Sequence, residues 1–97
     1  MPTYIVLGSF TDQGIRNVKE TSKRADAFKK EAGKRGITVK DLYWTMGQYD
    51  IATIVEAPND EAVTELLFSL GALGNIRTQT LRAFSQEEVS RITKKLG

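Results

Sequence analysis

Ninety-seven residues suffice for one domain with one core, since a chain of this size buries roughly 60% of its unfolded surface or somewhat more. With 40% apolar and 27% charged residues and two prolines, the composition is globular, and a net charge of +2 points to neither nucleic acid nor a membrane surface. The absence of cysteine and histidine excludes disulfides, thiolate nucleophiles and the usual zinc sites and removes the commonest general base, so neither a metal nor a cofactor is expected.

The opening MPTYIVLGSF has no basic leader and too short an apolar run for a signal or a membrane span, which predicts a cytoplasmic protein. Thr3 to Thr11 is a dense β-type run ended by the turn-forming Asp12-Gln13-Gly14. Apolar spacing at Ile15, Val18, Ala25, Phe28 and Ala32, with Ser22 in one gap, predicts a helix over 15–35 that Gly36 stops. Glu20 before Arg24, Asp26 before Lys30 and Glu31 before Arg35 suit a self-paired, solvated helix face.

Thr38 to Met46 and Asp50 to Ala57 read as two strands joined by a hairpin at Gly47-Gln48-Tyr49 and closed by Pro58. Asn59 or Asp60 caps a second helix with Val63, Leu66, Leu67, Leu70 and Gly74 on its buried stripe, and Gly71 and Gly74 mark its end. Asn75 to Phe84 is a fourth strand. Ser85-Gln86-Glu87-Glu88 then has capping-box spacing for a last helix carrying Val89, Ile92 and Leu96.

Right-handed crossovers turn this order into one α+β domain over residues 1–97. It is a ferredoxin-like βαββαβ unit with an antiparallel sheet in order 4-1-3-2, two helices on one face and an extra C-terminal helix. Two helices cover only one face of such a sheet, yet strand one looks apolar on both: Tyr4, Val6 and Phe10 point one way, Ile5 and Leu7 the other. Strand three repeats this with Ile51 and Val55 against Ala52 and Ile54. The economical cover is a second copy of the same sheet, the alternative being the last helix folded back over it. Phe68, set among Glu61, Thr64 and Glu65 on a polar helix face, is expected beneath the C-terminal helix or another subunit.

The segments TYIVLGSFTDQGIRNVKET, VKDLYWTMGQYDIATIVEAPND and LLFSLGALGNIRTQTLRAF span nearly the whole chain, and with them the sequence resembles the GYD domain family. The triplet that names the family is represented by Gly47, Tyr49 and Asp50, with Gln48 interposed. The resemblance implies a dimeric α/β barrel of ferredoxin-like type. Broader relatives of that fold include cofactor-free monooxygenases, lactone isomerases and amino-acid-sensing domains, a breadth that implies small-molecule work without choosing among members.

The strongest candidate ligand site is Tyr43 and Trp44 with Gln48, Tyr49 and Asp50, aromatic walls beside one amide and one carboxylate. The competing reading is a packed aromatic edge with Asp50 bonded to turn amides. A second candidate is Gly14 with Arg16, where free helix amides beside a cation suit an anion; a simply capped helix start is the alternative. Arg77, Thr78, Gln79, Thr80 and Arg82 form either a polar wall or a solvated edge strand. RNA binding is disfavoured, because strand three has no aromatic beyond Tyr49 on which a base could stack. The expectation is a homo-oligomeric module that binds a small organic metabolite, the alternative being a cofactor-independent isomerase or monooxygenase.

Overall fold

Alternation along β1 (Thr3–Phe10) sends Tyr4, Val6 and Gly8 into the interior and leaves Ile5 and Leu7 on the other side of the sheet. In the computed structural model, which describes residues 1–97, β1 is followed by α1 (Asp12–Arg16), a short 3-10 turn (Val18–Glu20) and α2 (Thr21–Lys34). Next come β2 (Thr38–Trp44), β3 (Ile51–Glu56), α3 (Asp60–Ala72), β4 (Ile76–Ala83) and α4 (Gln86–Thr93). All strand pairs are antiparallel, in the order β2-β3-β1-β4. No helix is long and apolar enough to cross a membrane.

Tyr4, Val6, Val55, Phe28, Ala32, Val63 and Leu66 form most of the core between the helices and one sheet face. Full burial of a side chain such as Leu66 is worth about 1.5–3 kcal/mol. The Tyr4 hydroxyl donates to the Asp60 carboxylate at the start of α3, fastening that helix to β1. Burial, then this bond, pushes the Tyr4 phenol above its ordinary pKa.

Two sequence expectations about the first helix need correction. The helix expected over 15–35 is interrupted at Asn17, whose φ of −105° and ψ of 29° leave the helical region. Ile15 and Val18 are exposed, so no buried stripe holds a continuous helix there. Of the three expected charge pairs only Glu31–Arg35 forms, at 2.8 Å; Glu20 meets Lys23, while Arg24 donates to the main-chain oxygens of Asn17 and Gly14.

The C-terminal helix does not take up the alternative of folding back over the open sheet face. Ser85 and Glu88 close both halves of a capping box, which pulls the Glu88 carboxyl below its ordinary pKa through the Ser85 amide. Yet α4 stands off the body instead of packing on it, and Val89, Ile92 and Leu96 stay exposed. The radius of gyration is accordingly 14.8 Å, against about 12.5 Å for a compact chain of this length. Phe68 is therefore not covered by α4 and remains 75% exposed.

Gly14 is buried where α1 crosses the turn before β4, and a Cβ there would overlap the carbonyl oxygen of Asn75. Gly14→Ala is expected to cost about 1–3 kcal/mol through this overlap. Urea unfolding checks it: an unchanged midpoint would mean that the two turns are not in contact.

Candidate functional site

On the helix side of the sheet, α2 and α3 leave a cleft of about 140 Å³ open toward one end of the molecule. Val6, Phe28, Leu42, Leu66, Leu70 and Ile76 make its wall overwhelmingly apolar. Small side chains at Gly8, Ala25 and Ser69 keep the space open where bulky ones would fill it.

Arg24 and Glu31 are the charged side chains lining the cleft, and their environments differ. Glu31 accepts from Arg35 Nη1 at 2.8 Å and from Lys34 Nζ at 3.1 Å. Arg35 and then Lys34 hold its carboxyl below the usual range, and Glu31 in turn raises Arg35, whose Nε also donates to Glu65 on α3 at 2.9 Å. Arg24, half-buried, has no carboxylate partner; Nη1 donates to the Asn17 oxygen at 3.0 Å and Nη2 to the Gly14 oxygen at 3.2 Å.

The candidates at the hairpin do not share one wall. Strand alternation puts Tyr43 on the open sheet face, its hydroxyl donating to Asp41 Oδ1 at 3.4 Å. Trp44 takes the helix side, where Nε1 donates to Thr21 Oγ1 at 2.9 Å. Gln48 is exposed in the loop. The Tyr49 hydroxyl donates across the sheet end to Gln79 Oε1 at 2.7 Å. Asp50 Oδ2 accepts from the Phe10 amide at 2.8 Å, so this carboxylate fastens the hairpin to the end of β1.

At the other candidate, the Gly14 amide donates to its N-cap Thr11 Oγ1 at 3.0 Å, and Arg16 is exposed without an ion pair. Of these seven residues none lines the cleft. The cleft residues were missed because empty space has no period; the available signal was small residues on inward-facing positions, Ala25 and Ser69 among them. Asp50→Ala is expected to lower stability by about 1–2 kcal/mol by leaving the Phe10 amide unpaired, and a denaturation midpoint equal to that of the parent would contradict it.

The GYD domain family model matches residues 4–93. A protein of Thermus thermophilus described as "Glutamine synthetase and cystathionine beta-lyase binding protein" is 32% identical over 84 residues, covering 86% of this chain and 88% of that one. Among solved structures, FFRP-DM1 superposes with a TM-score of 0.60 at 21% identity, covering 87% of this chain and 100% of that chain. A solved structure from Thermus thermophilus gives 0.57 at 23% identity over 88% of this chain and 95% of that one. A hypothetical protein of Pyrococcus horikoshii gives 0.55 at 19% over 89% and 93%. These structures share the α+β fold, and the family match covers almost the whole of it: this chain belongs to the GYD domain family.

Proposed function

We propose that this chain is a non-catalytic, self-associating module that binds a small molecule. The observation that carries the reading is the apolar cleft between helices and sheet, whose size matches a benzene-sized group. The enzyme alternative has less support, since the only carboxylate lining the cleft, Glu31, is held ionised by Arg35 and Lys34 and is a poor base.

Self-association is supported by the other sheet face. Ile5, Leu7, Ala52, Ile54 and Leu81 lie across neighbouring strands there; Leu81 is exposed and the other four are only half-buried. Two-fold pairing of these faces would close a dimeric α/β barrel and bring Tyr43 and Tyr49 into or beside the interface. A second reading, docking on a metabolic enzyme, is favoured by exposed Phe68 and Leu73 on and just after α3 and by the binding described for the Thermus thermophilus relative.

Two readouts test the proposal. Sedimentation is expected to give about twice the 10.8 kDa chain mass, and Leu7→Lys, which would bury an unpaired charge, is expected to give the monomer. A parent chain that sediments as a monomer contradicts the pairing. Benzene at ten times its Kd is expected to raise the unfolding midpoint by about 5 °C or more, but not in Ser69→Leu, where the cleft is filled. An equal response in the two chains contradicts the site.

A further inference from the structure

The cleft carries information about its ligand beyond size. Resting on the reading of the cleft as a small-molecule site, we infer that the ligand is a small organic acid, its apolar body in the cleft and its carboxylate on Arg24.

Charge compensation distinguishes the two ionised groups at the site. Among the residues lining the cleft, Arg24 is the only cation and Glu31 the only anion. Glu31 is already compensated, by Arg35 at 2.8 Å and Lys34 at 3.1 Å. Arg24 is not compensated: it forms no ion pair, and its two protein acceptors are neutral carbonyl oxygens. A half-buried guanidinium held only by carbonyls retains its full charge and unused donors in a partly desolvated setting. Carboxylate is the group that fits such a planar donor fork best.

Local structure explains why this arginine is available. Glu20 stands four residues earlier, but the chain leaves the α-helix at Asn17 and enters α2 only at Thr21, so the regular i,i+4 geometry is broken. Arg24 instead bridges back to α1, and those two bonds fix its side chain beside the cleft. A guanidinium already immobilised loses little further rotamer freedom when a ligand binds.

The cavity limits the apolar part to about one ring or a short branched chain. Phenylacetate is therefore a suitable probe and phenylacetamide its neutral counterpart, compared by calorimetric titration of the full chain. The acid is expected to bind at least ten times more tightly than the amide. Arg24→Gln should weaken acid binding far more than amide binding and so reduce that ratio to about one, and Ser69→Leu should abolish binding of both. Because Arg24→Gln also loses two carbonyl bonds that support the fold, Arg24→Lys serves as the second variant: it keeps the charge without the planar fork and should retain a reduced preference for the acid. Equal affinities for acid and amide in the parent chain would overturn the carboxylate inference while leaving the cleft reading intact. Binding of neither probe would overturn both. An acid preference that survives Arg24→Gln would place the anchor elsewhere and overturn the assignment.

Discussion

The fold depends on the junction where the turn after β1 meets the turn before β4. The Thr11 amide donates to the Asn75 oxygen at 3.1 Å, Thr11 Oγ1 to the Gly74 oxygen at 2.6 Å, and Gln13 Nε2 to the Leu73 oxygen at 3.1 Å. Gly14 lets the two backbones approach, and Gly74 takes the positive φ of 84° needed to leave α3. With α1 pinned there, the chain must break at Asn17 before α2 can cross the sheet. α2 starts only at Thr21, and Arg24 in its first turns lines the cleft while bonding back to the Asn17 and Gly14 oxygens on the pinned segment.

The two faces of the sheet then differ in cover. On the helix side, Val6 and Val55 belong to a core that small residues leave partly unfilled at one end. On the other side, Ile5, Leu7 and Ile54 are only half-buried, and α4 extends away with its apolar residues exposed. A lone chain with this much uncovered apolar surface is a poor end state, whereas one whose open face and arm meet another surface is economical. The proposed ligand site and the proposed association surface are back to back across a single layer of strands.

Much of this was legible in the sequence. Strands showed through β-branched density, and the capping box at Ser85 and Glu88 was readable because both halves are local. What escaped notice was tertiary. The break at Asn17 arises from contacts with a turn some sixty residues away, as in the bond from Gln13 to Asn75. The candidate site at Tyr43 and Trp44 joined residues that strand alternation separates, a separation the period-two rule already implied. The β-bulge near Lys40, where the β2–β3 register shifts between Val39 and Asp41, had no sequence cue.

The proposed binding site is the space between the helices and the sheet. Methyl-resolved NMR of the full chain during titration with benzene tests it most directly, because both sheet faces carry reporters. Saturable shifts are expected at Leu42, Leu66, Leu70 and Ile76, which line the cleft, with Ile5 and Ile54 unmoved. Shifts confined to Ile5, Leu7 and Ile54, or no saturable shift at the cleft methyls, would contradict it.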